Sequence, residues 1–200
     1  MTVRKGEDWG TPDPVPDDAI VVDSDRAAAE IAADHRRSDR AVPPMVLTDG
    51  DLARTLGGGA GRTSSPRTHV VVDLGAVLLD GKLQWFVAHL VARRWWLQGR
   101  IVVAANAAFL GDWNIAPRAH PGDGRLDVID ADPPIGDRLK ARRRLPLGTH
   151  VPHPAISVRR TEAIQIEFDA PTPVRLDGHP IGRARSLSIR VEPDALDIWI

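Results

Sequence analysis

Cysteine is absent from the 200 residues, which excludes disulfides, thiolate metal centres and a cysteine nucleophile. That usage fits a cytosolic protein. Long apolar runs are missing too: none approaches the ~18–20 residues a helix needs to cross a bilayer. Arg4 and Lys5 are followed by no hydrophobic stretch, so no secretory signal is expected. A net charge of −1 offers no basic excess, and no nucleic-acid reader motif is present. A nucleic-acid partner is therefore not expected.

What is present suits a soluble globular protein of one or two domains, with 42% hydrophobic and 26% charged residues. The near-neutral total hides two poles. Residues 1–35 carry three basic and nine acidic side chains, a local −6, whereas residues 136–160 carry seven basic and one acidic, a local +6. The basic pole reads either as a solvated helix or as a patch facing anionic lipid headgroups or phosphates.

Residues 1–18, acidic and proline-containing, read as a flexible leader. Residues 19–22 (AIVV) predict a strand, 23–37 a helix capped by Asp or Ser, 43–48 a buried strand and 50–56 a short helix ended by Gly57. This βαβα order opens an α/β layer. A glycine-rich linker closes the segment 19–67. From residue 68 to 200 strands dominate, with a hairpin at Asp80-Gly81, a buried strand over 100–110 and one helix over 136–144. Clean alternation at 163–169 and 185–192, then a last strand through Ile198, predicts a β-sandwich.

Two phosphate-binding loops can be excluded by spacing. A Walker A loop needs Gly, four residues, then Gly-Lys-Ser/Thr, but Gly61 is followed by Arg62 and Leu56 stands where the first glycine belongs. The third glycine of a dinucleotide fingerprint is also missing.

Three stretches in order resemble the bacterial diacylglycerol kinase and lipid kinase family, which includes relatives of sphingosine kinases. LTDGDLARTLG (47–57) is similar to the family's Gly-Thr-Gly-Asn-Asp-x-Ala-Arg segment. NAAFLGDWNIAPRAHPGDGRLDVID (106–130) resembles its Asn…Gly-Gly…Ala-Pro…Asp-Asp-Gly-x-Leu-Asp-Val stretch. PTPVRLDGHPIG (171–182) resembles its Val-x-Leu-Asp-Gly-Glu hairpin. The resemblance implies an α+β molecule, a reduced N-terminal α/β layer packed on a C-terminal β-sandwich of the lipid-kinase type. It implies transfer of the ATP γ-phosphoryl group to a lipid hydroxyl, at a cytoplasmic membrane surface. Thr48 and Asp51 would lie near the phosphates, and Asp177 and His179 at the acceptor hydroxyl. A structural Mg²⁺ would be held by the Asp123 side chain with the carbonyls of His120 and Arg125, oxygen ligands such as that hard cation prefers.

The departures from the family pattern are specific. The Gly-Gly-Asp-Gly-Thr loop that wraps the ATP phosphates has no counterpart, and Asp49 and Gly50 replace a glycine and an asparagine. His179 stands in place of the glutamate; histidine is a competent base near neutral pH, but a hairpin tip also accepts it without function. Asp-Gly occurs four times, so Asp123-Gly124 reads equally as a tight turn. Two functions stay open: an ATP- and Mg²⁺-dependent lipid kinase, or a catalytically silent relative serving as a lipid- or protein-binding module. A homo-oligomer is left open. Outside the three stretches, His150 and His153 read as loop residues, His69 and His89 as residues of apolar strands, and Trp95-Trp96 as core-edge cover or a membrane-interface contact.

Overall fold

The computed structural model describes residues 10–58, 66–95, 99–148 and 153–200. The linker residues 59–65, Trp96 and His150 lie outside the described residues. The chain opens with β1 (Thr11–Pro12), β2 (Ile20–Val22), α1 (Asp25–Arg37), β3 (Met45–Leu47) and α2 (Asp51–Thr55). Then follow β4 (Thr68–Leu79), β5 (Lys82–Phe86), β6 (His89–Arg93), β7 (Ile101–Ala105), β8 (Phe109–Leu110), β9 (Trp113–Asn114) and β10 (Leu126–Ala131). After α3 (Ile135–Arg144) and a 3₁₀ turn come β11 (Ile156–Thr161), β12 (Ala163–Leu176) and β13 (His179–Trp199).

Helix α1 begins two residues later than the sequence predicts, because Asp23 and Ser24 form the extended entry to its cap. The Ser24 hydroxyl accepts the Ala27 amide at 3.3 Å, and His35, Arg36 and Arg37 complement the dipole in the last turn. Its inner face is Ala28, Ala29, Ala32 and Ala33, small enough to lie close on the core formed with Met45, Leu47 and Leu74. In the segment that reads as a leader, Thr11 and Pro12 pair with His69 and Thr68 at the sheet edge, where a proline is tolerated.

Strands β2 and β3 are parallel, and β3 is parallel in turn to the end of β13, with Met45 opposite Ile198. The rest of β13 pairs antiparallel with β4 and β12. This strand of 21 residues thus carries the β-rich region directly into the α/β layer. The remaining order runs β12-β6-β7-β10-β11, with β5 on β4. The architecture is α+β, and a second core of Phe86, Leu90, Leu126, Leu187 and Ile189 fills the β-rich part.

Two local features differ from, or sharpen, the sequence reading. The strand expected over 100–110 breaks at Asn106, whose buried amide donates to the carbonyls of Asp73 (2.8 Å) and Val87 (2.9 Å). Asp80-Gly81 and Asp177-Gly178 have φ of 47° and 79°, and 44° and 77°; positive φ at both positions is the demand of a tight hairpin turn.

Candidate functional site

Parallel strands β2 and β3 end on the same side, and α1 and α2 start there. In α/β layers this edge is where ligands bind, because helix N-terminal amides converge on it. Here the chain's own groups occupy those amides. Asp25 is buried at the start of α1, and its carboxylate accepts the amides of Asp51 (2.6 Å) and Leu52 (3.2 Å). The approach is so close that a Cβ on Gly50 would come within 2.5 Å of Asp25 Oδ1, which accounts for glycine at that position. At α1 the Ser24 hydroxyl takes the Ala27 amide.

Asp51, the first residue of α2, accepts the Gly111 amide at 2.8 Å. Thr55 holds the same segment by accepting the Ala108 amide at 2.9 Å, and Arg54 donates to the Gly111 carbonyl at 2.6 Å. The stretches 47–57 and 106–130 singled out in the sequence therefore meet in space. Thr48 ties the ends of β2 and β3 together, its amide and hydroxyl both donating to the Val22 carbonyl.

The third stretch joins them through Asp177. Its carboxylate accepts three backbone amides, of Val87 (2.9 Å), Ala88 (2.9 Å) and His89 (2.8 Å). His89 is fully buried, donates from Nε2 to the Ala107 carbonyl at 3.0 Å, and points Nδ1 at Asp51 Oδ2, 3.6 Å away. Burial pushes the imidazole down to about 4, so it is neutral, and its Nδ1 lone pair has no hydrogen-bond partner.

The three carboxylates influence one another. Burial first, and then the Asp177 charge, raises Asp25 to about 7; burial raises Asp177 to about 6 against the pull of its three amides, and burial also raises Asp51. Such a group keeps its protons to higher pH than ordinary aspartates do. His179 stands beside it, exposed, with Nδ1 2.7 Å from Arg26 Nη1. A guanidinium only donates, so Nδ1 accepts and the ring proton sits on Nε2. Between α1, β5 and the β12–β13 turn lies a cavity of about 270 Å³, lined in part by Arg26, Arg37, Trp85, Asp177 and His179.

The loop 120–125 is built separately and rests on Asp73. The Asp73 carboxylate accepts the amides of Gly124 (2.7 Å) and Asp194 (3.0 Å). Asp123 accepts the Arg125 amide at 3.0 Å on one oxygen and pairs with the Arg160 guanidinium through the other. The His120 carbonyl accepts the Asp123 amide at 3.4 Å. These donors do not fit a Mg²⁺ ion as they stand, since the guanidinium supplies the positive charge that the ion would bring. Among the described residues no three His, Asp or Glu side chains converge as metal ligands.

Sequence reasoning passed over Asp25 and His89. Asp25 reads as one more acidic residue of the α1 start, and nothing in the pattern shows that it reaches across to α2. His89 sits in an apolar run and reads as core; its only signal is that a buried imidazole needs partners for both nitrogens.

Residues 76–200 match the YegS C-terminal NAD kinase beta sandwich-like domain. Among solved structures, "a putative diacylglycerol kinase" from Bacillus anthracis str. Sterne superposes with a TM-score of 0.63 at 14% identity, covering 90% of this chain and 77% of that chain. Another structure described in the same words, from the same strain, gives 0.59 at 13% identity, covering 78% and 68%. At such identities the likeness is one of fold. No curated protein matches the chain.

Proposed function

Since the chain belongs to the family of the YegS C-terminal NAD kinase beta sandwich-like domain, we propose that it is a catalytically silent relative of the bacterial lipid kinases, kept as a binding module. The observation that carries this reading is the Asp25 carboxylate on the amides of Asp51 and Leu52. Phosphoryl transfer relies on positioning and on neutralising phosphate charge. An edge that carries Asp23, Asp25, Asp49 and Asp51, and whose Ala27, Asp51 and Leu52 amides already donate to the chain's own acceptors, opposes a triphosphate instead.

One observation favours a second reading, ATP-dependent phosphorylation of a lipid hydroxyl. Asp177 keeps the position matched to the family's hairpin carboxylate, and its raised pKa of about 6 suits a general base. ATP would be the cosubstrate and Mg²⁺ would offset the acidic edge.

Calorimetric titration with ATP, with and without Mg²⁺, followed by a phosphorylation assay on diacylglycerol, separates the two. Absence of heat and of product supports the silent module. Binding, with turnover abolished by Asp177→Asn, would establish the kinase.

A further inference from the structure

The paired strands form one unbroken run, β2-β3-β13-β12-β6-β7-β10-β11, and its two ends, β2 and β11, have no second strand neighbour among the described residues. Backbone bonding shows which groups these ends leave open. The Ile20 amide donates to the Pro44 carbonyl at 2.9 Å and the Val22 carbonyl accepts the Thr48 amide at 2.9 Å, so residues 20 and 22 bond to β3. The N–H and C=O of Val21, between them, point outward. At β11 the Asp132 amide donates to the Ala155 carbonyl at 2.9 Å. In that register Ser157 and Arg159 bond to β10, and the N–H and C=O of Val158 and Arg160 point outward.

The two open edges match in apolar character and oppose each other in charge. Val21 is 69% exposed and Val158 is 56% exposed. Strand β2 is flanked by exposed Asp17, Asp18 and Asp23, within the acidic pole of residues 1–35. Strand β11 carries exposed Arg159 and Arg160 at the end of the basic pole of residues 136–160. Arg160 is held in part by Asp123, which leaves Arg159 as the leading cation of that edge.

We infer that the β2 edge of one copy adds to the β11 edge of a second copy and continues the sheet head to tail, with Val21 beside Val158 and the aspartates beside Arg159. Main-chain pairing at an open edge supplies affinity, and the side chains supply selectivity. Charge selects this arrangement over its rivals. Pairing β2 with β2 sets aspartates against aspartates, and pairing β11 with β11 sets arginines against arginines; like charges on adjoining strands are destabilising and guard an edge against its own kind. Only β2 on β11 joins opposite charges. The contact is heterologous, so each copy in a pair keeps one open edge and assembly continues beyond two copies unless a ring closes. It uses neither the Asp25, Asp51 and Asp177 carboxylates nor the cavity beside His179, and it holds under either reading of that site.

The test is sedimentation velocity of the full chain from micromolar to submillimolar concentration. In low salt the average mass should rise above the 21.8 kDa monomer with concentration. It should fall back at about 1 M salt, where the screening length is ~3 Å. Val21→Pro and Val158→Pro each delete an outward N–H at an edge position, where proline is tolerated. Each variant alone should stay monomeric. An equimolar mixture of the two should form a one-to-one dimer and nothing larger, because one intact β2 and one intact β11 remain. Arg159→Glu tests the same contact without touching the backbone and should weaken association about fivefold. Circular dichroism of the variants should match the parent. A parent that stays monomeric in low salt, full association by Arg159→Glu or by either folded proline variant, or a mixture that forms no dimer would overturn the proposal.

Discussion

Arg26 Nη1 and His179 Nδ1 are 2.7 Å apart, so the first turn of α1 is bonded to the tip of the β12–β13 turn across 153 positions of sequence. The contact joins the α/β layer to the β-rich region and occupies the lone pair that His179 would need to act as a base through Nδ1. Both side chains are exposed, and exposed polar pairs contribute little, about 0–1 kcal/mol. His179→Ala is therefore expected to shift the thermal midpoint only slightly. A large loss of stability, measured by thermal denaturation, would show that the contact carries the junction of the α/β layer with the β-rich region.

Asp177 is the opposite case. It takes three amides at the start of β6, and its truncation leaves all three without an acceptor. Each partly buried unsatisfied donor costs about 1–3 kcal/mol, less whatever water recovers. Asp177→Ala should destabilise the fold by roughly 2–4 kcal/mol in urea denaturation. Asp177→Asn retains one acceptor oxygen and should lose less. If both substitutions leave stability unchanged, Asp177 is not the anchor that the geometry makes it.

Much of this arrangement was legible in the sequence because the signals are local. Alternation at Ile164, Ile166 and Phe168 placed β12, and Asp-Gly at 80 and 177 placed two hairpin turns whose positive φ the structure bears out. Ser24 as an α1 cap follows the same logic. Of the three segments in the resemblance, 47–57 and 106–130 are bonded to each other, and 171–182 reaches them through Val87–His89. What the sequence hid depends on distance in the chain. Asp25 reaches 26 residues ahead to close α2, and His89 finds its acceptor 18 residues on at Ala107, neither of which a periodicity contains. Strand β11 was missed because it is an exposed edge strand with Arg159 and Arg160 in place of an apolar stripe.

The buried carboxylates give stability a pH dependence with a definite sign. Asp25 is raised from 3.8 to about 7 in the folded protein. The folded state then binds more protons than the unfolded chain between those values, so stability falls as pH rises from about 4 to about 7. Asp177, raised to about 6, adds to this trend; His89, held near 4 against an ordinary 6.5, opposes it between those two values. Asp25→Asn removes the largest of these contributions while keeping an acceptor oxygen for an α2 amide. The variant should gain on the parent protein by roughly 2–4 kcal/mol between pH 4 and pH 8, an upper bound from the shift. Urea denaturation at both pH values measures the difference. A constant difference between parent and variant across that range would place the Asp25 carboxylate outside the titration.

The pairing of Asp123 with Arg160 makes a separate prediction about metal. A Mg²⁺ ion at this loop must displace the guanidinium, and a cation that is already present in the fold leaves little to gain from a second. Adding millimolar Mg²⁺, or removing divalent ions with a chelator, should leave the thermal midpoint of the parent protein unchanged. Arg160→Ala frees one oxygen of Asp123 and removes the competing charge; the other oxygen keeps the Arg125 amide. That variant should be less stable than the parent, by about 1 kcal/mol for a partly exposed pair, and it should recover stability with millimolar Mg²⁺. Stabilisation of the parent by Mg²⁺, abolished by Asp123→Asn, would show instead that the ion wins the site from the arginine.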